Sequence, residues 1–548
     1  MLKRIINITI WTLLGLYFAI VVLLHIPFVQ TFIGERVSDA LCEKFGTKVN
    51  VGRVDLGFAN RLIVDNTLMY DQRGKQMLRV ARMSVKINPL ALVKGQIEIS
   101  SAQFFGLHAN LYRLTPNDKD NFQFVVDSLA SKDTTKQKTP LDLQINSLII
   151  RRGNISYRVL SQPSVAGRFS TNDIHISDLS AHIIVNRITN DSVNVKVKKL
   201  ALKERCGFML KSLSLTAVAS RRQASVQHLR VELPHTIIES DSISATYRTN
   251  DKQKLLMPTL KFCGNLNATA TPIDFACFVP QLRSLGTKYT LSTNFYGTGS
   301  SAVIQQFTFY SADNHLRLSA NGAVSKYPEN TEWSLNLNEL TSDNANIATV
   351  YKAVTGNDLP AIAERVGHVA IKGYAGGKGS HMVVDGNVVT DLGTVAFAAE
   401  KHQKTISGNI ETTAFDLGKL VAQQKVGQLS AKLNIRGTSA DDIAADGTIY
   451  DITYNGYQYK TINLDAAYCK KIVKGSIEID DPNVSLIACG MYDGSLHIPQ
   501  LSLSAAVSKL SPHALRLTNK WQGTSFEGNI DADIAGSGLH NANGKVTI

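Results

Sequence analysis

The sequence predicts a mainly β protein: an elongated, repetitive β-sheet with short amphipathic helices, preceded by one N-terminal transmembrane helix. Three observations predict it. Apolar and polar residues alternate over segment after segment. Gly, Ser, Thr, Asn and Asp recur between those segments while proline is sparse, which is the pattern of many short strands joined by tight turns. An uncharged apolar run opens the chain. With 44% apolar and 19% charged residues the composition is that of a folded chain and not a disordered one. Its 548 residues suffice for several domains or one long body.

The apolar run extends from Ile5 to Ile26, with Asn7, Thr9 and Thr12 as its main polar interruptions. About 20 residues suit a spanning helix. Lys3 and Arg4 precede the run, so the positive-inside rule puts the N-terminus in the cytoplasm and all that follows on the far side. A cleaved signal peptide is the rival reading. Against it, the run is longer than a usual signal core and no small-x-small site follows. Residues 1–27 are therefore read as cytoplasmic N-terminus and signal anchor. Residues 28–46 are read as a juxtamembrane amphipathic helix. Val29, Phe32, Ile33, Val37, Leu41 and Phe45 fall at helical spacing, and Gly46 supplies the stop.

Beyond residue 46 the period changes to two. Val85 and Ile87 alternate with Ser84 and Lys86, Ile97 and Ile99 with Gln96 and Glu98, and Val193, Val195 and Val197 with Asn194 and Lys196. Leu501, Leu503, Ala505 and Val507 continue the theme near the end. Such strands have one apolar and one wet face. The polar stretch 131–139 reads as an exposed loop after a short helix around Val125 to Ala130, and Gly153-Asn154 as a hairpin turn.

The chain divides by charge. Residues 47–260, with the N-terminal segments before them, form a basic β region: residues 1–260 hold 35 Lys/Arg against 20 Asp/Glu, while residues 261–548 hold 23 against 25. A basic surface near a membrane attracts anionic headgroups, although charges scattered over solvated strand faces explain the same count. Nucleic acid is disfavoured as a partner, because the basic residues are not clustered with stacking aromatics.

Residues 261–548 carry an irregular repeat of short helix, glycine, alternating strand and glycine-rich turn. Copies run from Pro272 to Gly297 with the helix over Pro272 to Leu285, from Leu359 to Gly376 with the helix to Val366, and from Phe415 to Gly437 with the helix to Val426, with a fainter one from Gly528 to Gly536. Uneven intervals rule out a fixed solenoid rung, yet one unit is being stacked along an axis. The last residues, Lys545 to Ile548, read as mid-strand, which leads us to expect a longer natural protein with a C-terminal domain beyond them.

No catalytic motif is present. The sequence lacks a phosphate-binding Gly-Lys-Ser/Thr loop, a zinc-binding His-Glu-x-x-His helix and a Gly-x-Ser-x-Gly elbow. The triplets Gly297-Thr-Gly299, Gly377-Lys-Gly379 and Gly536-Ser-Gly538, and the run Asp480-Asp481-Pro482-Asn483, are read as turns. No catalytic residue, cofactor or metal is expected, and the chain is not expected to be an enzyme. Among six cysteines, Cys263 with Cys277 or Cys469 with Cys489 offer cross-strand pairing in an oxidising compartment; six free thiols is the alternative reading.

The stretch from Val51 to Leu111 resembles the N-terminal region of the AsmA/TamB proteins of Gram-negative envelopes. The resemblance rests on Val51-x-x-Val54, Asp71-x-x-Gly74, Leu78-x-x-Ala81, Val85-x-Ile87-x-Pro89-Leu90-x-Leu92, Gly95-x-Ile97-x-Ile99 and Phe104 to Leu111, in that order after an anchor and a short helix. Ala414 to Gly427 and Gly475 to Val484 are similar to TamB repeats, and Asn121 to Leu129 with Ile145 to Gly153 are similar to the Bacteroidota version. The family's C-terminal domain is not expected among these residues. The resemblance implies a curved, groove-like sheet anchored in the inner membrane with its body in the periplasm. It implies phospholipid as the cargo, carried toward the outer membrane, and an outer-membrane Omp85-type barrel or other envelope proteins as partners. A lipid crossing water needs a continuous apolar lining, because each exposed CH₂ costs about 0.8 kcal/mol. Candidate lining positions are Val85, Ile87, Ile97 and Ile99. An assembly factor for outer-membrane proteins that engages client β-strands, and a non-catalytic scaffold with a dry packed core, are the alternatives.

Overall fold

The computed structural model describes residues 7, 9–12, 14–16, 18–19, 22, 26–57, 61–87, 97–130, 141–142, 146–165, 167–188, 192–250, 254–439, 441–536 and 543–548. The chain divides into two units, Met1–Lys288 and Tyr289–Ile548.

The first unit opens with helix α1 (Pro27–Phe45), which starts on Pro27 and stops at Gly46. That glycine takes the left-handed conformation, φ 63°, so its N–H can reach Cys42 O. The strands follow as β1 (Val49–Asn50), β2 (Val54–Gly57), β3 (Arg61–Tyr70), β4 (Gln76–Ile87), β5 (Ile97–Arg113), β6 (Leu141–Asp142), β7 (Ser147–Val159), β8 (Asp173–Ile188), β9 (Ser192–Glu204), β10 (Met209–Ser220), β11 (Gln223–Glu232), β12 (Ile237–Thr246) and β13 (Lys261–Ala270). Both β1 and β2 pair antiparallel with β3. From β3 the order is sequential and antiparallel except at β5, whose partners β6 and β7 run parallel to it. Parallel neighbours need a crossover. Helix α2 (Gln123–Ala130) lies in that connection.

The second unit is a meander. It comprises β14 (Tyr289–Thr298), β15 (Ser301–Ser311), β16 (Leu316–Ser325), β17 (Glu332–Ser342), β18 (Val369–Lys378), β19 (His381–Thr390), β20 (Gly393–His402), β21 (Thr405–Asp416), β22 (Val426–Ser439), β23 (Asp442–Tyr454), β24 (Tyr457–Cys469), β25 (Ile472–Asp481), β26 (Val484–Asp493), β27 (Gln500–Leu510), β28 (Phe526–Ala535) and β29 (Asn543–Thr547). Each strand pairs antiparallel with the next, and among the described residues no pairing closes the sheet on itself. Among the described residues three helices interrupt it: α3 (Asn344–Thr355), α4 (Ala361–Glu364) and α5 (Leu417–Val421).

Several expectations change. Gly153-Asn154 is no hairpin turn, because β7 runs straight through it. Register slips between Ile150 and Gly153 against β8, so turn-type residues here serve a β-bulge. The helix expected over Pro272 to Leu285 is two short 3₁₀ turns, Pro272–Phe275 and Pro280–Ser284, each begun by its proline. All six cysteines are free. Cys469 and Cys489 lie on β24 and β26, separated by β25, where they face Ile472 and Ser476 instead of each other. Among the described residues no helix is long and apolar enough to cross a membrane. The span expected over residues 5–26 lies partly outside the described set; the described residues from 7 to 22 are helical, and Trp11, Leu14 and Phe18 among them are bare.

Candidate functional site

Register decides which side chains share a face, since residues directly opposite in neighbouring strands point the same way. In the first unit Leu62 faces Val85, Val85 faces Ala102, and Ala102 faces Leu148. The rung continues through Ile183, Val197 and Leu215. One candidate position, Val85, thus belongs to an apolar row seven strands wide, and it is buried. Ile87 and Ile99 are register partners of each other, past an irregularity after Lys86, whereas Ile97 is set against Leu141 of β6. The side chains of Ile87, Ile97 and Ile99 lie outside the described residues.

The second unit carries a longer row that none of those candidates touches. Leu291 faces Phe309, then Leu318, Leu340, Ile371 and Val388 follow on successive strands. Val395, Thr412, Ala431, Ile449, Ile462 and Ile479 take it on, and Leu486 and Val507 bring it to β27. A second row beside it includes Phe397, Ile410, Leu433, Leu464 and Ile477. Alternation was readable in each strand by itself. The signal missing from the sequence is register, which a two-residue change in any turn would reset.

The opposite face is polar across the same strands. Asn409 faces Asn434, which faces Asp446, which faces Asp465. Lys432 Nζ lies 3.2 Å from Glu411 and Arg436 Nη2 2.7 Å from Asp446. Hydrogen bonds from Asn434 and Arg436 hold the Asp446 carboxyl below the usual carboxylate range. Lys326 and Lys378, each 2.8 Å away, bring that of Glu332 down to about 2. A concavity of about 610 Å³ lies on this face, over small residues such as Ser476, Cys489 and Ser504.

The apolar face is not covered by a second sheet. Ala431 and Ile462 are buried, but most of the row is only half-buried and Ile410 is 37% exposed. The chain exposes 34242 Å². Two separate compact bodies of half its mass would together expose about 23,000 Å². The described strands lie in one open sheet and not in two packed sheets.

Two places do cover the face. Near α1, Val49, Met69 and Met77 form a cluster with Leu41, Phe45, Leu111 and the α2 residues Phe124 and Val125. In the second unit α3 brings Ile347, Val350 and Tyr351 over Leu316, Leu340 and Ile371, leaving an almost wholly apolar cavity of about 440 Å³ between helix and sheet. Asp343 caps α3 by accepting from Asn346 N at 2.8 Å, and Gly356 ends it in the left-handed conformation.

Among the described residues no group of three or more His, Cys, Asp or Glu side chains is placed to hold a metal ion. What the geometry offers is an apolar surface one sheet thick, wet on its back. In comparisons with family models, with curated proteins and with solved structures, no match to this chain is found.

Proposed function

We propose that this chain is an inner-membrane-anchored periplasmic protein that carries phospholipid toward the outer membrane, with the acyl chains lying against the apolar sheet face. The observation that carries this reading is the row from Leu291 to Val507, apolar except at Thr412 and left half-exposed where a sandwich would bury it. Acyl chains that cross water lose about 0.8 kcal/mol per CH₂ exposed, so a long, nearly continuous apolar row is the feature such a path requires. The cavity beneath α3 has the chemistry of a resting place for a single acyl chain. Near the N-terminus the bare apolar residues of the segment 7–22 suit an anchor, and the basic first half suits anionic headgroups. An Omp85-type barrel or another envelope protein is the proposed acceptor at the outer membrane.

A photocrosslinking amino acid at Leu433 or Ile477, on the apolar face, tests the reading in intact cells against the same residue at Lys432 or Glu478 on the polar face. Phospholipid adducts at the first pair and not at the second are expected. Adducts to strands of other envelope proteins, with no lipid at any position, would replace cargo transport with an assembly role.

A further inference from the structure

We propose that Cys206 and Cys277 form a structural disulfide within the first unit when the chain folds in an oxidising compartment. Cys206 sits in the turn between β9 and β10, and Cys277 in the loop between the two 3₁₀ turns that follow β13. They are 71 residues apart in sequence, yet the Phe208 and Phe278 rings that follow them pack together, and the Cys277 thiol is among the neighbours that push the Cys206 thiol up. The loop is held there by several independent contacts. Phe169 N donates to Cys277 O at 3.0 Å, and Arg283 Nη2 donates to Gly167 O at 3.0 Å. The Phe278 ring packs against Phe169 and Phe208, each with centroids 5.2 Å apart. Cys277 is buried, so its approach to Cys206 belongs to the packed structure and not to a wandering side chain.

The chemistry around Cys206 favours the bonded form. Its backbone N–H donates to Glu204 Oε2 at 2.5 Å, and burial with that carboxylate pushes its thiol up to about 12. A thiolate is disfavoured at this position, so reductive cleavage that would leave one on Cys206 is resisted. The bond forms as the chain folds, before packing buries Cys277, and the Cys277 sulfur is the attacking group. It opens the disulfide of an oxidant, either a thiol–disulfide oxidoreductase or oxidised glutathione, to give a mixed disulfide. Cys206 then displaces the carrier's sulfur. Two thiol protons and two electrons leave the chain, and the carrier's disulfide becomes two thiols. The other cysteines are placed differently: Cys42 Sγ accepts from Val49 N at 3.1 Å, Cys263 Sγ lies 3.3 Å from Ser244 Oγ, and Cys469 and Cys489 are a strand apart.

The full chain, purified in detergent, is equilibrated with oxidised and reduced glutathione, acid-trapped, alkylated and digested without reduction. A peptide pair joined through Cys206 and Cys277 is expected, with the remaining four of the six cysteines alkylated. Because the bond closes a long loop, reduction lowers the melting temperature by about 5–10 °C. Cys206→Ser and Cys277→Ser each reproduce the reduced protein's melting. Both cysteines staying alkylatable under oxidised glutathione, or either pairing elsewhere, overturns the proposal, and this wild-type readout decides even where the serine variants do not fold. The compartment rests on the periplasmic reading above. Trapping the chain directly from cells separates the two, since a bond that forms in vitro and is absent in cells overturns the periplasmic placement and leaves the thiol pairing standing.

Discussion

Asp71 stands in the turn between β3 and β4, 2% exposed, and collects three hydrogen bonds. It accepts from Arg73 N at 2.9 Å, from Lys75 N at 2.8 Å and from the Tyr112 hydroxyl at 2.7 Å. Burial works against its charge, but the donors outweigh burial and hold the carboxyl below its ordinary range. The unfolded chain then binds this proton more tightly than the folded one. The contribution to stability is complete above the ordinary carboxyl range, near pH 4, and is lost as the pH falls through the lower folded value. Asp71→Asn should cost about 1–3 kcal/mol at neutral pH, read by urea denaturation, and should flatten the loss of stability below pH 4. Equal acid sensitivity in parent and variant would remove Asp71 from this role. The spacing Asp71-x-x-Gly74 was legible in the sequence as a family-like feature. Its cause is a turn: Gly74, at φ 78°, donates its N–H to Asp71 O at 3.0 Å. The run Asp480 to Asn483, read as a turn, likewise joins β25 to β26, with Asp481 accepting from Asn483 N at 2.8 Å.

Helix α3 is the element on which the second unit's covered stretch depends. It has few partners besides the sheet beneath it, so its end caps matter more than in a packed domain. Asp343→Ala removes the N-cap and should cost about 1 kcal/mol. The expected readout is faster hydrogen exchange across residues 344–355 while β19 to β27 keep their protection. Faster exchange spread evenly over the whole unit would instead mean that α3 and the sheet open together. The sequence placed the short helices near Leu359 and Phe415 within a few residues, because helical spacing is local, but it offered no reading of α3. It misjudged Pro272 to Leu285, where two prolines start separate 3₁₀ turns, and Gly153-Asn154, where turn chemistry serves a bulge inside β7. In both places the deciding contact lies on another strand or loop. Phe169 and Phe208 receive Phe278 in the first case, and Leu179 faces Gly153 in the second.

At the scale of the whole chain, two-residue alternation announced a sheet with one apolar face, but a sandwich would alternate in the same way. What separates the two is area and register. The exposed surface exceeds by nearly half what two compact bodies would show, and one apolar row runs without a polar break larger than Thr412 from Leu291 to Val507. A continuous lining is a series device, in which one blocked rung stops flow along its whole length, whereas a scaffold tolerates a surface charge anywhere. Leu433 is a suitable rung to block, being half-buried between Ile410 and Gly447. Leu433→Asp puts a short carboxylate there that cannot bend away to water as a lysine could. Because Leu433 is already partly wet, the fold should survive, with a loss of about 1–2 kcal/mol by denaturation. An acyl chain passing an unpaired charge meets a far larger penalty, so delivery of newly made, labelled phospholipid to the outer membrane should fall by about tenfold or more. Asn434→Asp, one residue along on the polar face, should leave delivery unchanged. Equal delivery in both variants would mean that cargo does not travel on the apolar face, and the long row would then be a spacer's surface.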